Sequence, residues 1–136
     1  MLPRGPFVTI AAFCERTRSN PSEKTKDLMG LMFRKQLRPN GVVDLVYVVA
    51  VNCGEHPTTP TITITFRDKA GKMLTEVSND EPFSSVGSEH ILAGPVGFRD
   101  MTPGLLWMDV SIDGSLAARS PLLLTGRQAQ ASTRLH

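Results

Sequence analysis

The clearest pattern along the chain is a two-residue alternation of apolar and polar side chains, which is typical of β-strands buried on one face. In TITITFR, residues 61–67, the isoleucines and the phenylalanine share one face, while the threonines and the arginine share the other. A short glycine-containing turn follows, and KMLTEVS, residues 72–78, is expected to return as the partner strand. These residues therefore predict a β-hairpin.

A second hairpin is predicted near the end of the chain. In LLWMDVSI, residues 105–112, the alternation places Trp107 and Asp109 on the outer face of the strand. The dipeptide Asp-Gly that follows is a strong turn signal, and SLAARSPLLLT, residues 115–125, returns from it. The proline of this return strand indicates an edge position or a bulge, because proline has no N–H to donate.

Three further segments are predicted to be strands. FVTIAAFCE, residues 7–15, alternates and reads as the first strand. VVDLVYVVAV, residues 42–51, is apolar on both faces apart from its aspartate, which predicts a central and fully covered strand. ILAGPVGF, residues 91–98, is expected to be a strand broken by its internal glycine and proline.

The segment between the first two strands is less regular. ERTRSNPSEKTKD, residues 15–27, alternates positive and negative charges and reads as a solvated loop. DLMGLMFRKQL, residues 27–37, fits both a strand and an i, i+4 helix, and its glycine favours the strand. The sequence leaves residues 22–38 open between these two structures.

These elements predict an all-β fold of seven or eight short strands, arranged as a two-sheet antiparallel β-sandwich of immunoglobulin-like type. The length of 136 residues fits one domain, which we place at residues 1–125. Residues 126–136 show no pattern and are expected to form a flexible C-terminal tail. The Cys…Trp…Cys signature of true immunoglobulin domains is absent, so the prediction concerns the architecture alone.

Composition and charge bear on the cellular compartment and on the classes of partner. The two cysteines, Cys14 and Cys53, do not form a disulfide framework and predict reduced thiols in the cytoplasm. No stretch has the length of a membrane span, so no membrane association is expected. Residues 1–39 hold eight Lys and Arg against three Asp and Glu, a balance of +5. Because no aromatic residues are interleaved with these charges, we do not expect nucleic-acid binding.

Two segments resemble a known family. FVTIAAFCE, residues 7–15, and PGLLWMDVSIDGSLAARSPLLL, residues 103–124, are similar to the opening strand and the closing hairpin of a family of small bacterial β-sandwich proteins of unknown function. The resemblance implies the sandwich fold. It implies no activity and no catalytic residues, because the family has none assigned.

One short stretch could carry chemistry. Cys53 and His56 in VNCGEHP have the spacing of half a metal site, but zinc needs three or four ligands. Cys14, His90 and Glu55 would have to converge on them from other parts of the chain. A loop that ends the central strand is the favoured interpretation, and Cys53 and His56 remain weak metal candidates. No catalytic residue and no cofactor are predicted.

Trp107 and Asp109 are the candidate binding residues. An outward tryptophan is a typical interface anchor, and the alternative is that it caps the end of the sandwich or packs against the 15–27 loop. The leading hypothesis is a non-enzymatic module that binds another protein, or its own copy through a sheet edge. The alternatives are a small-molecule or carbohydrate-binding domain that stacks its ligand on Trp107, and a metal-dependent hydrolase that uses Cys53, His56 and His90.

Overall fold

The computed structural model describes residues 2–20 and 25–126, which form nine β-strands and one 3₁₀ turn. Residues 127–136, most of the predicted tail, lie outside this range, as do residues 21–24 of the segment left open between strand and helix. The strands are β1 (Phe7–Asn20), β2 (Thr25–Met32), β3 (Arg34–Gln36), β4 (Val43–Asn52), β5 (Thr61–Arg67), β6 (Met73–Asp80), β7 (Glu89–Phe98), β8 (Gly104–Ile112) and β9 (Ser115–Thr125).

The strands form two sheets. One has the order β2-β1-β4-β7 and the other β3-β9-β8-β5-β6. In an immunoglobulin-type sandwich, strands A, B and E share one sheet, and strands C, F and G share the other. Here β1, β4 and β7 take the places of A, B and E, while β5, β8 and β9 take those of C, F and G. The predicted all-β, two-sheet, immunoglobulin-like sandwich is therefore confirmed.

The count and direction of the strands differ slightly from the expectation of seven or eight antiparallel strands. The described residues contain nine, because β3 is an extra strand of three residues. It pairs with β9 in parallel, whereas every other strand pair of the described chain is antiparallel. The chain turns at Phe33 between β2 and β3, and so passes from one sheet to the other within a few residues.

The core lies between the two sheets and is centred on Phe66. The ring of Phe66 packs at tilted angles against Phe13, Tyr47 and Phe98, with centroid distances of 6.3, 5.6 and 5.7 Å. Those three partners come from β1, β4 and β7 of the opposite sheet, so one aromatic side chain holds both layers together. The alternation predicted for β5 and β8 is the one observed, because their inward side chains are buried.

The prediction of a solvated loop over residues 15–27 is wrong. β1 continues through residues 15–20 and β2 begins at residue 25, and the two pair with Arg18 opposite Asp27. The Arg18 guanidinium lies 3.1 Å from the Asp27 carboxylate, and both side chains are at least half exposed. Charged side chains on a hairpin that is wetted on both faces show no apolar alternation, so the sequence pattern resembled that of a loop.

Residues 22–38, which the sequence left open between strand and helix, are strands over most of the part that the structure describes. β2 and β3 account for residues 25–32 and 34–36. Gly30 has a φ of +72°, which an α-helix cannot accommodate. The preference for a strand, which was based on this glycine, is confirmed.

Two other predicted strands differ in detail. β7 is continuous over residues 89–98 rather than broken. It is an edge strand, so no further strand needs a hydrogen bond from the position of Pro95, which has no N–H. β9 lies between β3 and β8, so it is not an edge strand as a whole. Pairing with β3 begins only at Leu123. Pro121 therefore has no paired strand on its outer side and lies in the predicted edge environment.

β4 is a central strand as predicted. Its odd-numbered residues from Val43 to Val51 face the core, and its even-numbered residues point away from it. No strand of the described chain forms a layer over that second face, because the two sheets have only their inner faces in common. On that face Val48 and Ala50 are nevertheless only 1 and 2% exposed, whereas Asp44 is exposed, so the expectation of a fully covered strand is met on the core side and in part on the other side.

Candidate functional site

The loop after β4 holds the two weak metal candidates apart. Cys53 is fully buried, whereas His56 is exposed. The Cys53 thiol donates to the carbonyl oxygens of Gly54 and Ser85, at 3.2 and 3.0 Å, and accepts a contact from the Ser88 hydroxyl at 3.6 Å. The sulfur is therefore occupied in joining this loop to the segment before β7.

Backbone hydrogen bonds fix the same loop to the start of the chain. The N–H of Glu55 donates to the carbonyl of Pro3 at 2.9 Å, and that of His56 donates to the carbonyl of Arg4 at 3.2 Å. Gly54 has a φ of +77°, which a residue with a Cβ adopts only under strain. The favoured interpretation of residues 53–56 as a structural loop agrees with this geometry.

The other candidate ligands lie elsewhere. His90 makes contacts within the protein. Its ring packs on that of Phe83 with 4.3 Å between centroids, and its Nδ1 lies 3.3 Å from a Glu81 carboxylate oxygen. Within residues 2–20 and 25–126, no group of three or more His, Cys, Asp or Glu side chains is placed to hold a metal ion.

Cys14 lies on β1, opposite Leu31 and Val46 on the two neighbouring strands. It points away from the core, yet its side chain has no exposed surface. Burial raises the pKa of its thiol above the ordinary value, outweighing the backbone hydrogen bonds from Arg16 and Met29 that lower it. A thiol held in its protonated form is a poor nucleophile and a poor metal ligand.

Trp107 stands on the outer face of the five-stranded sheet, as its alternation predicts. Its neighbours along β8, Leu106 and Met108, are buried in the core, while Trp107 itself is half-buried. The Arg119 guanidinium lies over the indole ring, 4.4 Å from its centroid. This cation–π contact covers one face of the ring, so a sugar could stack there only by displacing Arg119.

Asp109 lies on the same outer face and joins three strands. One of its carboxylate oxygens accepts a hydrogen bond from Arg67 on β5 at 3.1 Å. The other lies 2.9 Å from Arg119 Nε on β9, an ion-pair contact without hydrogen-bond geometry. The Asp109 side chain is 13% exposed. One oxygen is thus hydrogen-bonded, and the other is buried beside Arg119 without a hydrogen bond, so the carboxylate is largely shielded from a ligand.

An apolar groove adjoins Trp107. Pro121, which pairs with Trp107 across β8 and β9, forms one wall, and Phe33 at the turn between β2 and β3 forms another. The volume of the groove is about 190 Å³. Its lining is mainly apolar and comes from both sheets, through Ala11, Ala12, Phe13, Leu31, Met32, Phe33, Leu105, Ser120, Pro121 and Leu123. We call this groove together with Trp107, Asp109 and Arg119 the Trp107 surface.

Phe33 is the residue that sequence reasoning missed. It is 75% exposed, the most exposed of the large apolar side chains that the structure describes. The sequence placed it inside a segment that fits both a strand and a helix, because a turn between two strands of different sheets leaves no period of its own. Arg67 and Arg119 were missed as well, since only the strand register shows that both meet Asp109.

Comparisons with known proteins bear on the fold. No family model and no curated protein match the sequence. Among solved structures, the chain is similar to the alkylpurine DNA glycosylase AlkC of Pseudomonas fluorescens bound to DNA containing an abasic site analogue, with a TM-score of 0.55 and 12% identity. The match covers 89% of this chain but only 30% of the glycosylase.

Two weaker similarities accompany it. A CARDB domain from Pyrococcus furiosus in complex with metal ions matches with a TM-score of 0.47 and 8% identity, over 88% of this chain and 92% of its own. A β-glucosidase from Listeria innocua in complex with glucose matches with a TM-score of 0.48 and 10% identity, over 86% and 16%. Similarity at such identities concerns the fold and says nothing of activity.

No helix within the described residues has the length and hydropathy needed to cross a membrane.

Proposed function

We propose that the chain is a non-enzymatic β-sandwich module that binds another protein through the Trp107 surface. The observation that carries the proposal is the exposed Phe33 at the rim of an apolar groove beside the only tryptophan. Exposed aromatic side chains next to apolar pockets, with arginine nearby, have the composition of interaction hot spots. Arg119 and Arg67 supply the arginines.

The geometry favours a protein over a small molecule. The groove of about 190 Å³ is smaller than the roughly 300–1,000 Å³ of typical ligand sites. Arg119 covers the indole face on which a carbohydrate would stack, and the Asp109 oxygens are already paired. Small-molecule or carbohydrate binding remains the second candidate, and it would require Arg119 to move.

Edge pairing is the weaker route for a protein partner. Pro95 interrupts the row of donors on the edge strand β7, which hinders the addition of a further strand. At the edge of the other sheet, β6 is mostly exposed and carries the charged Glu76. We propose the cytoplasm as the compartment, because Cys14 and Cys53 are both free thiols.

The glycosylase similarity is not carried into the proposal. The binding of DNA is a property of the glycosylase. Among the basic residues of β1 and β2 in this chain, Arg18 is already paired with Asp27. We therefore propose no nucleic-acid partner.

The test is affinity capture from the native host with variants of equal stability. Wild type and Leu116→Ala, which changes an exposed side chain at the start of β9, should recover the same specific protein. Trp107→Ala and Phe33→Ala should lose it by roughly tenfold or more, the usual effect of removing a hot-spot aromatic. Equal recovery by all four proteins would show that the Trp107 surface is not used for binding.

A further inference from the structure

The outer side of the four-stranded sheet is apolar across its whole width. Side chains there come from all four strands: Leu31 of β2, Ile10, Ala12 and Cys14 of β1, Val46, Val48 and Ala50 of β4, and Ile91, Ala93 and Pro95 of β7. We call this set the outer apolar face. An antiparallel sheet with one free face normally shows polar residues on that face.

The strand register arranges these side chains in three successive rows. Ile10, Ala50 and Ile91 form the first row. The second row contains Ala12, Val48 and Ala93, and the third contains Leu31, Cys14, Val46 and Pro95. The three rows contain no charged side chain, so the face presents a continuous apolar area rather than scattered apolar residues.

The exposed part of this face is substantial. Ile10, Leu31 and Ile91 are 41, 52 and 45% exposed, and they surround the buried Val48 and Ala50. The run of apolar residues in β4 is the sequence pattern of a strand covered on both sides. No strand of the described chain supplies the second cover.

Charged residues of opposite sign lie beyond the two ends of the rows. Glu89 stands beyond the first row, opposite Asn52, and its carboxylate accepts a hydrogen bond from the Thr9 hydroxyl, which holds it over the β1 side of the sheet. Arg16 follows Cys14 on the same face of β1, beyond the third row, and is exposed. At that end Asp44 is neutralised by Arg38, so Arg16 provides the net charge.

We propose that a second copy of this chain covers the outer apolar face, with the two copies of β4 antiparallel across a twofold axis. The axis would pass above the middle row, where Val48 is already buried, so the contacts would come from the exposed residues of the first and third rows, Ile10, Ile91 and Leu31. The first row of one copy would then lie on the third row of the other. Arg16 of each copy would meet the carboxylate that Glu89 places above β1 of its partner.

The charges select this arrangement over the alternatives. An axis parallel to the strands would place Arg16 near Arg16 and Glu89 near Glu89, and like charges in contact oppose association. The twofold arrangement is self-complementary, which is the requirement for a closed dimer.

This inference does not depend on the proposed function. The Trp107 surface lies mainly on the five-stranded sheet, and the two surfaces have Leu31 and Ala12 in common. A module could dimerise through one face and bind its partner through the other. The experiment below therefore leaves Leu31 and Ala12 unchanged.

Sedimentation velocity over a concentration series tests the dimer, from roughly 5 to 500 μM, the range in which an interface of modest area dissociates. Wild type should pass from monomer to dimer with rising concentration. Ile91→Asp should raise the dissociation constant by about tenfold or more, because it buries a charge in the apolar contact. Leu116→Asp, on the other sheet and 61% exposed against 45% for Ile91, should leave the dissociation constant unchanged.

Charge reversal tests the orientation. Arg16→Glu and Glu89→Arg should each weaken the dimer by roughly tenfold, and the double variant should restore it, because the pair is then reversed rather than removed. Both residues are exposed, so the folded monomer should tolerate either change. A wild type that stays monomeric at the highest concentration overturns the proposal. Dimerisation that is indifferent to Ile91→Asp, or a double variant no better than the single ones, also overturns it.

Discussion

At the scale of single residues, Gly54 shows how the start of the chain is held. It adopts a φ of +77°, and a Cβ at this position would lie 2.6 Å from the carbonyl oxygen of Pro3 and closer still to that of Gly5. The next two residues donate backbone hydrogen bonds to Pro3 and Arg4. Glycine is therefore required here both by the backbone conformation and by the close approach of another segment.

Replacing Gly54 with alanine should separate these two requirements when it is compared with Gly71→Ala. Gly71 has a φ of +87° but open space around it, so its substitution carries the conformational strain alone, about 1–2 kcal/mol. Gly54→Ala should lower the free energy of unfolding by about 3 kcal/mol, because the N-terminal segment must also move. Urea denaturation of both variants measures the difference. Equal losses would mean that the contact with the N-terminal segment adds nothing to stability.

At the scale of strands, sequence alternation identified the elements that have one wet and one buried face. The inward side chains of β5 and β8 were predicted correctly because burial on a single face leaves a period of two in the sequence. The β1–β2 hairpin beyond residue 15 was missed because water on both faces removes that period. The apolar run in β4 correctly indicated that both faces of this strand are apolar. It could not show which residues of the neighbouring strands share the outer face, because that depends on the strand register.

The candidate site was predictable only in part. The alternation correctly placed Trp107 and Asp109 on the outer face of β8. Their partners could not be predicted, because Arg67 and Arg119 reach Asp109 only through the register of two strand pairs. The sequence contains the side chains, but a register shift of one residue would turn each of them to the other face.

The ion-pair cluster at Asp109 should stabilise the five-stranded sheet. Asp109→Asn retains the shape of the side chain but leaves Arg67 and Arg119 close together without their shared carboxylate. We expect a loss of about 1–3 kcal/mol in the free energy of unfolding, because the side chain is nearly buried. Asp27→Asn, which removes the exposed pair with Arg18, should cost at most about 0.5 kcal/mol.

Thermal or urea unfolding of both variants at low and moderate salt makes the comparison. Similar losses in the two variants would indicate that the Asp109 cluster is no stronger than a surface ion pair.

At the scale of the whole molecule, the four-stranded sheet buries groups that ionise in alkali on both of its faces. Cys14 is enclosed on the outer side of the four-stranded sheet, and Tyr47 packs on Phe66 between the sheets. Burial raises the pKa of the Cys14 thiol and of the Tyr47 hydroxyl above their ordinary values of 9.0 and 10.0. The unfolded chain therefore loses both protons at lower pH than the folded chain.

The stability of the protein should consequently fall in alkali. These two groups stabilise the fold fully below the ordinary thiol pKa, and the contribution is lost as the pH rises from about 9 through the raised values. The double variant Cys14→Ala, Tyr47→Phe should show a flatter decline in the free energy of unfolding between about pH 8.5 and 10.5. Urea denaturation at a series of pH values measures both slopes. An unchanged slope in the double variant would show that other groups cause the decline.

The position of β9 has a consequence for how the protein is made. β9 is the last strand in the described chain, yet it lies inside its sheet, with β3 on one side and β8 on the other. On a ribosome, β3 emerges early and has no partner in its own sheet until residues 123–125 are synthesised. The five-stranded sheet can therefore close only after residues 123–125 have been synthesised, and until then the apolar residues of β5 and β8 are left without their full cover. Closure of this sheet is thus a long-range event, which slows folding and prolongs the exposure of apolar surface.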